Sequence, residues 1–468
     1  MRESVEREVK LVPGEGFELP ELGEPQPPRD FVSTYYDTQG LRLARHGITF
    51  RHRIEDGTGL WQLKLPRGDA RAELEQAGPP ARPPAEFLDL LTALLRGTEL
   101  VRVARLRTRR HSVRAEGAEI VDDSVAVLDG QHVTARFREL EVELLDGDEE
   151  ALRRLEKALR KAGAEAADDT PKLYRALELA YPPEPEELPD DAAPVDVLRA
   201  ALREQYARLL AHDPGTRQGA DPEDLHQMRV ATRRARAYLR AARPLLDPEW
   251  TRELRDELDW LGSELGAARD LDVLLEHVRE EVAELGHGGA GVGGFVSALE
   301  RDHAAARAAA VTALSGPRYF ALLDRLEDVE PPLADDADST LGDLWWKEFK
   351  RARKAFDDLG AKSSDEELHA ARIRAKRARY AAELAEHELG KSGEKFVDAA
   401  KELQDVLGEH QDAAVAEERI VAWAEQESGS GEAVEQLLER ERDRRDRARK
   451  EWPAAWKRLE KRARAAKN

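Results

Sequence analysis

From Glu3 to about Ala180, Val, Ile, Thr and aromatic residues alternate with charged ones in short runs broken by turn formers, a period of two that predicts strands. The runs cover residues 5–10, 31–38, 47–54, 60–65, 71–75, a stretch carrying Arg105, Arg107 and Arg109, 120–125 and 137–144. Asp56-Gly57 and Thr58-Gly59 supply a turn between the third run and the fourth. A short helical piece is predicted over 85–95 and an amphipathic helix over 149–162. Past about residue 195 the period lengthens, and Ala, Leu, Arg and Glu recur at helical spacing almost to the C-terminus, with interruptions at 286–294 and at Pro331-Pro332. Between the two textures, residues 182–191 are proline-rich and acidic, which predicts an extended, semi-rigid connector. The expected layout is a strand-rich domain over 1–180, a linker over 181–194 and a helical domain over 195–468.

In the first run Glu6, Glu8 and Lys10 share one face of a strand, and Val5, Arg7 and Val9 share the other. Carboxylates roughly 6 to 7 Å apart along a strand can share a hard divalent cation, and a nearby lysine can meet the phosphate that the cation carries. Taken alone, the run reads equally as an edge strand with a solvated charged face. Later runs repeat the arrangement: Arg51 with Arg53, Lys64 among apolar neighbours, Arg71-x-Glu73-x-Glu75, and Glu139, Glu141 and Glu143 on one face, with Lys172 and Arg175 closing the domain. Many antiparallel strands of this kind do not make a sandwich with a dry core. A closed barrel turns the apolar faces out against helices and the charges inward. Such a lumen suits metal on its acidic side and a polyanion on its basic side, because Mg2+ is held by one or two carboxylates plus substrate phosphates.

The helical half contains an internal repeat. Leu225-His226-Gln227-Met228-Arg229-Val230-Ala231-Thr232-Arg233-Arg234-Ala235-Arg236 matches the segment from Leu368-His369 through Arg372, Lys376 and Arg377 to Arg379, and Leu265-Gly266 with Asp270 answers Leu407-Gly408 with Asp412. On a helical wheel His226, Arg229, Arg233, Arg236 and Arg240 fall within roughly 80 degrees, as do His369, Arg372, Lys376, Arg379 and Glu383. Like charges stacked this way destabilise an isolated helix by a few tenths of a kcal/mol per pair, and residues 226–240 contain no acid to offset them. Solvated helix faces usually mix signs, so this face is expected to meet a polyanion. His226 and His369 can be phosphate donors, metal ligands or packing residues. Phosphate contact is favoured over metal ligation.

Composition narrows the classes. At 468 residues two or three domains are expected. The chain has no Cys, so any metal sits on oxygen or imidazole ligands. No apolar run reaches the roughly 18 residues of a membrane span, and the N-terminus carries charge where a signal peptide is apolar, which predicts a cytoplasmic protein without a membrane partner. A net charge of -21 argues against general nucleic-acid binding.

Glu6-x-Glu8-x-Lys10, Tyr35-Tyr36-Asp37-Thr38, Arg51-x-Arg53, Lys64, Arg71-x-Glu73-x-Glu75, Glu139-x-Glu141-x-Glu143 and Lys172, in this order over about 175 residues, resemble the successive motifs of the CYTH family, the triphosphate tunnel metalloenzymes. The resemblance implies an eight-stranded antiparallel tunnel and hydrolysis or cyclisation of triphosphate substrates with Mg2+ or Mn2+. It places catalysis at Glu6, Glu8 and Lys10, and metal at Glu6, Glu8, Asp122, Glu139 and Glu141, with Asp123 replacing Asp122 if the register slips by one. It assigns phosphate contacts to Lys10, Arg51, Arg53, Lys64 and Lys172, and more loosely to Arg42, Arg107, Arg109 and Arg175. The helical repeat resembles the CHAD family, often attached to CYTH domains, whose HxxRxxxRRxR helices line a basic surface for inorganic polyphosphate. It implies two four-helix bundles related by a pseudo-two-fold, over about 195–330 and 340–465, with polyphosphate on His226, Arg229, Arg233, Arg236, Arg240, His369, Arg372, Lys376 and Arg379. The expected fold class is multidomain α+β: a β tunnel, then an all-α domain. The leading expectation is a metal-dependent triphosphatase that binds polyphosphate, with an address in the cytoplasm or at polyphosphate granules and with homo-oligomerisation left open. A polyphosphate-binding adaptor with an inert tunnel is a second reading, opposed by the near-complete charge set. A nucleotide cyclase ranks below hydrolase, because no stretch is an evident adenine pocket.

Overall fold

The computed structural model describes residues 2–67, 70–167, 170–181, 188–189, 191–285, 291–334, 338–360, 362–426 and 431–467, with the backbone alone at 2–6, 67 and 70. Most of the expected connector (182–187 and 190) and the glycine-rich stretch 286–290 lie outside the described residues. The chain divides into two compact units, Met1–Glu186 and Glu187–Asn468.

In the first unit eleven described strands form one antiparallel sheet: β1 (Arg2–Glu6), β2 (Glu8–Pro13), β3 (Glu24–Pro25), β4 (Arg29–Asp37), β5 (Thr49–Glu55), β6 (Thr58–Arg67), β7 (Ala70–Ala77), β8 (Val101–Ala115), β9 (Ala118–Asp129), β10 (His132–Leu144) and β11 (Ala164–Ala166). Their order is β1-β7-β6-β5-β4-β8-β9-β10-β2-β11, with β3 beside β8. β1 and β2 stand at opposite ends of the long-stranded path, yet only Arg7 separates them in the chain. The sheet therefore curls until its ends meet at Arg7. The expectation of eight strands differs from the eleven observed for a simple reason. One N-terminal strand is bent into β1 and β2, and two strands, β3 and β11, are only two and three residues long.

The pleat sorts the side chains as the alternation requires. Leu11, Ile120, Leu140 and Val142 pack outward against Leu152, Leu155 and Leu159 of α4 (Glu149–Lys161). Asp148 caps α4, its carboxylate accepting from the Ala151 N–H at 2.8 Å. Also on the outer face, Phe50 stacks on Trp61 at 5.0 Å and meets Phe87 edge-on at 5.9 Å. Phe87 belongs to α2 (Ala85–Leu90), which continues into α3 (Thr92–Leu95). On the inner face Tyr35, Leu106 and Val125 form an apolar end layer that Leu173 and Tyr174 of α5 (Lys172–Leu177) complete. The short helix α1 (Arg42–Arg45) hangs on Asp37, at the end of β4, whose fully buried carboxylate accepts from the backbone N–H groups of Thr38, Leu43 and Ala44 at 2.6, 2.8 and 2.9 Å.

The second unit is helical: α6 (Pro194–Gln218), α7 (Pro222–Ala242), α8 (Pro248–Leu285), α9 (Gly293–Leu314), α10 (Pro317–Glu327), α11 (Leu341–Asp357), α12 (Asp365–Leu384), α13 (Glu386–Gln426) and α14 (Glu432–Lys467). The repeat motifs fall on α7 with α8 and on α12 with α13, so α6–α9 and α11–α14 are the two four-helix halves, and α10 is an addition to the first. Caps fix the two motif helices: the Asp221 carboxylate accepts from the Glu223 N–H on α7, and Ser364 with Glu367 forms a capping box on α12. The halves share a core in which Leu271, Leu275 and Val278 of α8 and Phe295 of α9 meet Ile420 of α13 and Leu437 of α14. Among the described residues no helix is long and apolar enough to cross a membrane.

Removing the Asp37 carboxylate would orphan three N–H groups in a site without water access. Asp37→Ala is expected to cost about 2 to 4 kcal/mol, at about 1 to 3 kcal/mol per unsatisfied buried group with partial relaxation. Hydrogen exchange of peptides spanning residues 29–55 should rise accordingly, and Asp37→Asn should recover much of the loss.

Candidate functional site

Inside the curled sheet β10 presents Glu139, Glu141 and Glu143 on one face. Register then fixes their neighbours: Asp123 of β9 lies opposite Glu139, and Lys10 and Glu8 of β2 lie opposite Glu141 and Glu143. The Lys10 ammonium sits 3.2 Å from Glu8 and 3.3 Å from Glu139 and also bonds Glu141. Lys172, from α5, reaches the same group at 2.9 Å from Glu139, 2.9 Å from Glu141 and 3.2 Å from Asp123. Arg110 of β8 grips Asp123 with two hydrogen bonds of 2.9 and 2.8 Å. Arg175 stands 3.7 Å from Glu139.

Burial and charge act against each other here. Burial opposes the charge on Lys10, yet Glu141, Glu8 and Glu139 together raise its pKa above the ordinary lysine range. Burial would likewise neutralise Glu141, but Lys10 and Lys172 hold its carboxyl well below the usual value. Glu143 receives less help: burial and the neighbouring Glu141 push it up to about 7. Glu139 is also raised, by burial, and its Oε2 is buried without a hydrogen bond. The group thus has room for more positive charge. Oxygen atoms of Glu8, Glu141 and Glu143 lie within 4.8 Å of one another, a spacing that a hard divalent cation can bridge. The donor set, all carboxylate, fits Mg2+ or Mn2+.

Counted through the bent N-terminal strand, β5 is four long strands from β10 in either direction, so its inner face is across the lumen from the carboxylates. There Arg51 donates to Gln62 at 2.9 Å and to Tyr35 at 3.1 Å, and Arg53 lies over the Phe31 ring at 4.8 Å. Burial, then Arg51, lowers the pKa of Arg53, the mark of a cation held near others of its sign. Lys64 of β6 is 3.8 Å from Glu73, and Gln62 donates to Glu73 and Glu75 at 3.0 and 2.6 Å.

Not every expected lumen residue is brought here. Asp122 is on the other face of β9, where Arg138 holds it by hydrogen bonds of 2.7 and 2.6 Å; Asp123 takes the inner position. Arg107 and Arg109 point outward and are exposed, Arg109 pairing with Asp30 at 3.0 Å, and the inner arginine of β8 is Arg110. Arg42 donates to the Leu94 carbonyl at 2.9 Å, outside the carboxylate group. The Glu6 side chain is outside the described residues; its backbone pairs with Arg71.

In the helical unit α7 and α12 lie side by side. Arg233 donates to the Tyr380 hydroxyl at 2.7 Å, and the Glu383 carboxylate ties Arg234 and Arg379 at 3.2 Å each. Glu383 is therefore a counter-ion between the motif helices. Arg229, Arg233, Arg372 and Arg379 gather instead around Lys376, and burial together with Arg372, Arg233, Arg379 and Arg229 drives its pKa down to about 7. Asp270 pairs with Arg229 as Asp412 attends Arg372, which is the pseudo-two-fold expressed in side chains. Arg236 is engaged by Asp259. His226 accepts from Arg269 at 3.1 Å, whereas the His369 Nδ1 is buried without a hydrogen bond.

Arg240 leaves this group for a second one. Its neighbours are Arg255, Glu348, Arg374 and Arg351, and with Arg243 and Lys347 it lines a cavity of about 320 Å3. Burial, then Arg240 and Arg374, lowers Arg377 to about 10. Arg374 and Arg377 stand within the repeat itself, two positions and one position away from the residues chosen by wheel position. Arg255, Lys347 and Arg351 come from helices whose approach no local pattern encodes.

Sequence profiles of two domain families match the chain: CYTH domain over residues 4–174 and CHAD domain over residues 200–421. "Uncharacterized protein MT2285" of Mycobacterium tuberculosis (strain CDC 1551 / Oshkosh) is 32% identical over 491 residues, covering 95% of this chain and 93% of its own. The CHAD domain from the plant Ricinus communis is 27% identical with a TM-score of 0.48, covering 59% of this chain and 95% of that one. PptA from Streptomyces chartreusis is 23% identical with a TM-score of 0.46, over 56% of this chain and 98% of that one. With both profiles in order along one chain and a full-length relative above 30%, the protein belongs to the CYTH–CHAD family, an N-terminal CYTH domain followed by a CHAD domain.

Proposed function

We propose that the CYTH domain hydrolyses inorganic triphosphate or a related triphosphate-tailed substrate with Mg2+ or Mn2+, and that the CHAD domain binds inorganic polyphosphate. The observation that carries the first half is the bridging spacing of Glu8, Glu141 and Glu143 inside a lumen whose far wall holds Arg51 and Arg53. Bound there, the metal would polarise phosphoanhydride oxygens and activate water. Arg51, Arg53 and Lys64 take the phosphate charge and fix the substrate's position, and the repulsion between Arg51 and Arg53 in the free protein is relieved when it arrives. Arg110 and Lys172 hold Asp123, Glu139 and Glu141 aimed into the lumen. Polyphosphate binding rests on the two arginine groups, whose desolvated cations lack enough acids of their own. A linear polyanion would run along both.

Glu8→Gln keeps size and removes a ligand charge. Phosphate release from triphosphate at saturating Mg2+ or Mn2+ should fall at least about tenfold, equal to about 1.4 kcal/mol in the barrier, with the melting curve preserved. A rate above a tenth of wild type would remove Glu8 from the site.

Replacing Arg229 and Arg372 together with Glu should abolish long-chain polyphosphate binding, measured by calorimetry, while triphosphate hydrolysis continues. Wild-type affinity should fall steeply with added salt. Duplex DNA bound as tightly as polyphosphate would contradict the assignment.

Lys376 adds a pH dependence of defined sign. Its amine is half-protonated near pH 7 in the free protein, and a bound polyanion favours the charged form, so affinity should decline as pH rises through 7 and protons should be taken up on binding. Lys376→Arg, always charged, should flatten the profile between pH 6 and 9.

A further inference from the structure

The Lys10 ammonium lies where a cation would lie. Of the three carboxylates spaced to share a metal, it contacts two, Glu8 at 3.2 Å and Glu141. Lys172 contacts only Glu141 of the three and is also held by Asp123 and Glu139. Lys10 is nine-tenths buried, and its aliphatic stem leaves β2, the strand that carries Glu8. A divalent cation and this ammonium cannot both draw on Glu8 and Glu141 at contact distance without meeting each other's charge. A lysine stem has four rotatable carbons, so the head group can leave the carboxylates without the strand moving. The other anion the lumen would admit is the substrate's phosphate.

We propose that Lys10 is an internal stand-in for the metal: in the substrate-free protein its ammonium neutralises Glu8 and Glu141, and it moves onto phosphate when metal takes those carboxylates. Lys10 is thereby a positioning residue that couples the two ligands. Metal binds weakly alone, because it must displace an ammonium with nowhere to go. Triphosphate binds weakly alone, because it must draw that ammonium from its carboxylates. Together each removes the other's obstacle, and linkage requires the effect to be reciprocal. This rests on the metal reading given above.

The test is calorimetric titration of Mn2+ into the full chain, with and without imidotriphosphate, a non-hydrolysable triphosphate analogue, for wild type, Lys10→Met and Lys172→Met. Lys10→Met should bind Mn2+ alone at least about tenfold more tightly than wild type. The further gain in Mn2+ affinity on adding the analogue should shrink by at least about tenfold, leaving what direct contact between phosphate and metal supplies. Lys172→Met should keep most of the wild-type coupling. A structural role alone would lower the melting temperature of Lys10→Met without changing the coupling, and that outcome, or unimproved Mn2+ affinity, would overturn the proposal. If Lys10→Met does not fold, Lys10→Gln carries the same test. Wild-type protein that takes up no Mn2+ in either condition would instead overturn the metal reading itself, and this inference with it.

Discussion

Five carboxylates close together inside a protein are sustainable only if cations reach them from several parts of the chain, and most of the first domain's architecture follows from that delivery. Asp123, Glu139 and Glu141 are nearly or fully buried, and uncompensated carboxylates there would neutralise or unfold the site. β2 supplies Lys10, β8 supplies Arg110 and α5 supplies Lys172 and Arg175. No open sheet could bring all of these to one strand's face. Curling places β2 against β10, and the end layer around Leu173 and Tyr174 fixes the helix that holds Lys172 over the group. Apart from that end layer, the apolar packing described above lies on the outside of the curl, so the charged interior and most of the hydrophobic core are two faces of the same strands.

Much of this was legible because alternation leaves little choice of face. Glu139, Glu141 and Glu143 fall together by period alone, and Arg51 and Arg53 likewise. The failures came where two like residues are adjacent, as in Asp122-Asp123 and Arg109-Arg110, since a period of two cannot choose between neighbours of the same charge. Register chooses. The turn at Glu116-Gly117, both residues at positive φ, is a two-residue hairpin turn that pairs Ala115 with Ala118. Counting back from it sets Arg110 opposite Asp123. That signal was present in the sequence and outranks the repeated Arg-x-Arg spacing of Arg105, Arg107 and Arg109.

In the helical domain the wheel placed Arg229, Arg233, Arg236 and Arg240 on one face; the structure brings Arg229 and Arg233 to Lys376, pairs Arg236 with Asp259 and sets Arg240 beside Arg255. One helix spans far enough that its two ends meet different partners. Glu383, a departure from the repeat's charge, is the acid that lets α7 and α12 approach each other despite their arginines. Such a residue is invisible to pattern, because its role depends on a helix more than a hundred positions away.

The bend at Arg7 has a kinetic meaning as well. β2 pairs with β10, and Lys10 bonds Glu139 across 129 positions of sequence. β1 needs β7. Both halves of that single strand must therefore wait for partners that lie far along the chain, and loop-closure entropy makes such contacts slow to form. The hairpins β4-β5-β6-β7 and β8-β9-β10 pair near neighbours, β4 meets β8 across a longer loop, and the β2–β10 side of the seam, at the longest separation, is expected to close last. Until then the carboxylates of β10 stay open to water and lack Lys10, so the step that completes the lumen is also the step that charges it.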